Sequence, residues 1–309
     1  MKNSAFQKIL DETVEQARHI STGNVASYIP ELTEISDSLT AVCVQMTDGE
    51  IYTSGDCDDS HYITLQSTAK LVLLIGLIEE FGEEQVFKWT KSEPSGDDFA
   101  SIARLDQFGP VPSNPMLNAG AISLSSHIPG DTTEAHLKWL EYWMEKCFGT
   151  PLKINQKVFA SERRTGDRNR SLAYLMKSTR VIEGIVDEIL EAYFYLCSFE
   201  ATVKQAAYLP MLLANAGLAP SGERILSRRT AELTVSMMAT CGLYNESGEH
   251  LVRTGLPAKS GVSGFILAVA PKKAGIAVFS PLVNYKGTSL RGEKMLANIA
   301  STMEWHFAI

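Results

Sequence analysis

The stretch LVLLIGLI, Leu71 to Ile78, carries no charged side chain, and Lys70 stands immediately in front of it. A helix that is apolar around its whole circumference is stable only where protein surrounds it on every side. The run is under half of the roughly 20 residues needed to cross a bilayer, so the rest of the chain has to bury it. A chain of 309 residues is long enough to do so, as one large domain or two intimate lobes. Gly82 is placed to end the helix.

Burial of that helix gives Lys70 an unusual setting. Ser67 and Lys70 are three residues apart, so a helix starting near Ser67 puts both on nearly the same face, within reach of one another. Desolvation and the positive end of the helix dipole both favour the neutral amine, which makes Lys70 a candidate general base. A serine hydroxyl is a weak nucleophile until a neighbour takes its proton, and a lysine is one group that does so. The N–H of a serine in the first turn has no partner within the helix and is available to an oxyanion. Serine and lysine at this spacing also occur by chance, with Ser as a cap and Lys in solvent, so the pair alone does not decide the matter.

Elsewhere the periodicity divides the chain. Apolar runs flank Asp48-Gly49 in TAVCVQMTDGEIYTSG, and a second hairpin pattern runs from Phe265 to Ala270 and from Ile276 to Phe279. Residues from about 67 to 240 read as helical, including Thr132–Cys147, Asn169–Ser178, Val203–Ala214 and Arg228–Thr240. Glu293–Phe307 reads as a last helix, with Leu296, Ile299, Met303 and Phe307 on one side. The N-terminal MKNSAFQKILDETVEQARHI lacks the apolar core of a signal peptide and reads as an amphipathic surface helix. Strands near both ends and helices between them predict an α+β fold: an antiparallel sheet built from residues 1–64 and 241–309, flanked by helices, with an inserted all-helical lobe over 65–240 and the active site between the two. KSEPSGDDFAS and FGPVPSNPMLNAG are the strongest loop signals.

Charge narrows the partners. With 28 basic and 36 acidic residues the net charge is −8, which argues against nucleic acid or an anionic membrane. The five cysteines form no CxxC or Cys/His metal pattern and fit reduced thiols in a cytosolic chain. Cys57 and His61 lack a third group that would orient a thiol–imidazole pair, and Cys197 reads as a packing residue.

Lys259-Ser260-Gly261, in LPAKSGVSG, opens a predicted strand. A Lys-Ser/Thr-Gly strand combined with a helical Ser-x-x-Lys is the partnership used by penicillin-recognising serine enzymes. A phosphate loop is the weaker reading, because Ala258 stands where a Walker loop requires glycine.

The ordered segments YIPEL, LQSTAK, EPSGDDF, NPMLNAGAI, SERRTGDRNRSLAY, YFYLCS, TCGLYNESGE and GLPAKSGVSG, spread over nearly the whole chain, resemble the serine-dependent glutaminases with the β-lactamase-like fold. The resemblance implies hydrolysis of L-glutamine by water to L-glutamate and ammonia, without a metal or organic cofactor. It further implies Ser67 as nucleophile, Lys70 as base, Tyr244 as proton relay to departing ammonia, and the backbone N–H groups of Ser67 and Val262 as oxyanion hole. Substrate recognition falls by the same resemblance to Tyr28, Gln66, Asn118, Glu162, Asn169 and Tyr193, together with Ser67, Tyr244 and Val262. Relatives are commonly homodimers or homotetramers, and the cytoplasm is the expected location. Departures from the family pattern are Thr68-Ala69, where Ile-Ser is frequent, and Asn245, where Asp is common; neither removes a reacting group. A penicillin-recognising hydrolase and a non-catalytic glutamine-binding protein are the alternatives.

Overall fold

A computed structural model describes residues 2–96, 100–103, 105 and 109–308. Asp97, Asp98 and Phe99, which complete EPSGDDF, and Phe108, which opens the second loop, lie outside the described residues.

Strands β1 (Ala41–Met46), β2 (Ile51–Gly55), β6 (Ala258–Ser260), β7 (Phe265–Ala270) and β8 (Ala274–Phe279) form an antiparallel sheet in the order β2-β1-β8-β7-β6. The two ends of the chain meet at β1 and β8, from Ala41 opposite Phe279 to Met46 opposite Ala274. Alternate side chains of a strand leave on opposite faces, and here both faces are covered. Val42, Val44, Ile266, Ala268, Ile276 and Val278 pack with Phe6, Leu10, Val14, Leu296 and Ile299 of the two terminal helices, Lys2–Arg18 and Leu290–Thr302. Their neighbours Ala41, Cys43, Phe265, Leu267, Ala277 and Phe279 belong to the larger core beneath the helical segments. That double coverage explains why β7 and β8 read as continuous apolar runs rather than alternating ones.

Between residues 63 and 201 the chain also forms a small sheet that the sequence reading leaves out, β3 (Ile63–Thr64), β4 (Lys153–Ile154) and β5 (Phe199–Ala201), in the order β3-β5-β4. Two or three residues are too few to display a period of two.

Several boundaries shift for local reasons. Thr132 is the N-cap of helix Thr133–Phe148 and accepts from Ala135 N–H. The Val203–Ala214 run is two helices, Val203–Ala206 and Tyr208–Ala214, with Pro210 in the first turn of the second, where its missing N–H costs least. The last helix begins at Leu290, capped by Ser289, and ends at Thr302. Trp305 N–H reaches back to Ala300 O with Glu304 at φ 53°, so Phe307 lies beyond the helix and is exposed.

Helix Lys70–Phe81 is buried from Lys70 through Ile78, as its apolar circumference requires. Gly82 ends it at φ 79°, a left-handed conformation that a Cβ disfavours. No described helix is long and apolar enough to cross a membrane.

Candidate active site

Ser67 lies in a 3-10 turn, Gln66–Ala69, that runs directly into the buried helix, rather than in the first α-helical turn itself. The turn's first hydrogen bond is from Thr68 N–H to Leu65 O, so the Ser67 N–H lies upstream of the bonded ladder. Gln66 is held at φ 48° and Tyr244 at φ 54°, left-handed conformations that non-glycine residues occupy at a cost of about 1–3 kcal/mol and that concentrate at functional sites.

Lys70 is fully buried. Its Nζ donates to Met116 O at 3.0 Å and to Asn118 Oδ1 at 2.7 Å. Desolvation lowers its pKa from 10.5 to about 8, partly countered by Cys197 and Glu162. Both bonds go to the segment carrying Met116 and Asn118, so the lysine is oriented from behind. Asn118 passes the network on, its Nδ2 donating to Asn169 Oδ1 at 2.9 Å.

On the far side of the pocket, Tyr28 OH donates to Gln66 Oε1 at 2.6 Å and lies 3.3 Å from Glu162 Oε1. Tyr28 is 49% exposed overall, with its hydroxyl directed inward; its pKa is raised by desolvation first and by Glu162 second. Burial raises Glu162 from 4.5 to about 7, against the opposing pull of Tyr28, Gln66 and Lys70. The Gln66 amide thus acts on the carboxylate, although its Nε2 has no partner at normal hydrogen-bonding geometry. An incoming polar group would satisfy it. Tyr193 is buried, and its phenol is pushed up by desolvation, then by Cys197 and Glu162.

Lys259-Ser260 ends edge strand β6 instead of opening the strand at Phe265, and Gly261 begins the turn into β7. A Cβ on Gly261 would lie 2.8 Å from Leu65 O and 3.2 Å from Thr68 Cγ2. Only glycine lets this turn settle against the Ser67 turn, which brings Val262 to the same pocket. Lys259 is also fully buried, with its Nζ 4.2 Å from the Tyr244 ring centroid; Lys70 Nζ is 5.6 Å from that ring. Desolvation and then Lys70 hold the Lys259 pKa well below its usual value.

One cavity of about 310 Å³ is lined by Tyr28, Gln66, Ser67, Asn118, Glu162, Asn169, Tyr193, Tyr244 and Val262, bringing together residues from seven separate sequence segments. Lys70 stands behind the wall. The lining also includes Arg168, Lys286 and Gly287, which the sequence reading does not single out. Arg168 lies within the SERRTGDRNRSLAY segment, whereas no local signal marks Lys286-Gly287 as a pocket wall. Among the described residues no cluster of three or more His, Cys, Asp or Glu side chains could hold a metal.

The family profile described as Glutaminase matches residues 23–307. A glutaminase of Legionella pneumophila (strain Lens) is 56% identical over 98% of this chain and 97% of its own length. One from Alkaliphilus oremlandii is 39% identical over 97% of each chain. Among solved structures, a probable glutaminase from Bacillus subtilis complexed with 6-diazo-5-oxo-L-norleucine superposes with a TM-score of 0.89 at 34% identity, covering 97% of this chain and 96% of that one. Fold, length and sequence agree, and the chain belongs to the glutaminase family.

Proposed function

We propose that this glutaminase hydrolyses L-glutamine to L-glutamate and ammonia in the cavity in front of Ser67, through a glutamyl-serine ester. The observation that carries this reading is the pair formed by Ser67, on the cavity wall, and the buried, desolvated Lys70 behind it.

Lys70 takes the Ser67 proton as Oγ attacks the side-chain amide carbon. The Ser67 and Val262 N–H groups receive the developing oxyanion. As the C–N bond breaks, Tyr244 passes a proton from Lys70 to the departing ammonia; water then attacks the ester, giving its proton to the relay and returning one to Ser67. Glu162 pairs with the α-ammonium of glutamine, because a charge entering a buried pocket needs a partner. Asn118 is largely committed to Lys70 and Asn169, and the Tyr28 hydroxyl proton to Gln66 Oε1, which leaves the Asn169 amide nitrogen and the Tyr193 hydroxyl to face the α-carboxylate.

Two lobes, 1–64 with 241–309 and 65–240, meet at this cavity. Pairing of β3 with β5 ties Ile63-Thr64 to the second of them. A cytoplasmic homo-oligomer, dimer or tetramer, fits the family and the five unpaired cysteines.

Ammonia release by purified protein tests the scheme. Glutamine is expected to be hydrolysed, asparagine and nitrocefin poorly or not at all, and Ser67→Ala to be inactive. Normal turnover by Ser67→Ala would sink the proposal.

A further inference from the structure

Glu246 lies in the 3-10 turn Tyr244–Glu246 but does not line the cavity. Its carboxylate instead reaches a loop 38 residues further along the chain, where Asn284 Nδ2 donates to Oε1 at 2.8 Å. Thr288 Oγ1 donates to Oε2 at 2.7 Å, so both oxygens hold the same loop, and Lys286 Nζ approaches Oε1 at 3.9 Å. Within the loop, Asn284 Oδ1 accepts from the N–H groups of Lys286 and Thr288, and Gly287 N–H bonds back to Asn284 O. The loop is therefore braced internally. Its inner surface, Lys286 and Gly287, forms part of the cavity wall, and a Cβ on Gly287 would meet Val262 Cγ2 at 3.5 Å, an ordinary packing distance.

We infer that Glu246 is a positioning residue for the hydrolysis: it locks the Asn284–Thr288 loop to the Tyr244 turn and so keeps the relay tyrosine and Val262 in register. The inference rests on the reading of this cavity as the glutamine site. Tyr244 and Val262 act on the leaving group and the oxyanion, which exist only as the amide reacts. Loss of the lock thus lowers kcat more than it raises KM.

The test compares Glu246→Ala, Glu246→Gln and the pair Asn284→Ala/Thr288→Val in the full-length enzyme. Glu246→Ala is expected to lower kcat about tenfold with KM changed less than about threefold. In Glu246→Gln the amide oxygen still accepts from Asn284 and the amide nitrogen donates to the Thr288 hydroxyl, so kcat returns to within about threefold of the parent. Adding Glu246→Ala to the loop pair should lower kcat no further, because all three changes break the same link. Parent kcat in Glu246→Ala, equal damage from Gln and Ala, or additive losses would each overturn the inference. If Glu246→Ala does not fold, the Gln variant and Thr288→Val alone, expected to cost about threefold in kcat, carry the test. Ser67→Ala separates the two claims: activity in that variant removes the site reading and the lock together, whereas an inactive Ser67→Ala beside a fully active Glu246→Ala removes only the lock.

Discussion

Lys70 donates a 2.7 Å hydrogen bond to the side-chain oxygen of Asn118. With the second bond to Met116 O, two N–H groups of the amine are engaged. A neutral amine has two N–H groups and one lone pair, so this geometry is complete for the unprotonated form and, in the proposed scheme, leaves the lone pair to take the Ser67 proton. Protonation adds a third N–H in a fully buried place, which is the physical sense of a pKa brought down to about 8 by desolvation.

Activity should accordingly rise with pH through about 8, because the base is neutral only above its pKa. Lys70→Arg keeps the charge but has no accessible neutral form, and its kcat should fall by about a thousandfold. A pH–rate series from 6 to 9.5 (roughly spanning the lysine titration) checks the first point. A flat profile would count against Lys70 as base.

Glu162 makes the opposite shift, from 4.5 to about 7, because its burial outweighs the three groups that favour its charge. The free carboxyl holds its proton to higher pH in the folded than in the unfolded chain. Its stabilising contribution is therefore complete below 4.5 and lost as pH rises through about 7. Glutamine's α-ammonium should return the carboxyl to its charged form. Binding of glutamine to Ser67→Ala near pH 6.5 (about half a unit below the folded pKa) should thus release protons, measurable by titration calorimetry in two buffers of different ionisation heat. Glu162→Gln should weaken that binding by about a hundredfold. Equal heats in the two buffers would argue that Glu162 does not meet the ammonium.

Arg291 supports the fold rather than the chemistry. Buried at the start of the last helix, it donates to Ile20 O at 2.9 Å, Asp37 O at 2.7 Å and Thr40 Oγ1 at 3.2 Å, pinning the segment that leads from the first helix to β1. Arg291→Ala orphans these acceptors and should cost about 3 kcal/mol. Scanning calorimetry should show the thermal midpoint falling by about 4–6 °C, and a drop of less than ~2 °C would contradict the assignment.

What could be read from the sequence follows from the range of the physics involved. The buried helix behind Lys70 was legible because eight consecutive apolar residues admit few other settings, and the hairpin at Asp48-Gly49 because the turn residues carry their own geometry. The groups that orient Lys70 were not legible, since its partners, Met116 and Asn118, lie 46 and 48 residues away. The proposed substrate side chains came from resemblance: an isolated Tyr28 or Asn169 has no local pattern that distinguishes a ligand from a loop residue. Lys286 and Gly287 were not legible by either route, because a pocket wall formed by a distant loop leaves no periodicity. Short strands such as Ile63–Thr64 exist only through their pairing with β5.

Gly261 joins the two motifs physically. A side chain there would press on Leu65 O at 2.8 Å, and that carbonyl accepts the first hydrogen bond of the Ser67 turn, so it cannot yield without moving the nucleophile. Gly261 itself is fixed from the other side, its N–H bonded to Phe265 O at 2.8 Å and its carbonyl to Gly264 N–H at 2.9 Å. The strain of an added methyl therefore falls on the spacing between Ser67 and Val262, the two proposed oxyanion donors. Gly261→Ala should fold and bind glutamine with KM changed by less than about threefold, while kcat falls by about ten- to a hundredfold, the range expected for a misplaced oxyanion donor. Steady-state kinetics with circular dichroism as a fold control decides it. Undiminished kcat in a folded Gly261→Ala would show that the turn carrying Val262 does not set the geometry of the reaction.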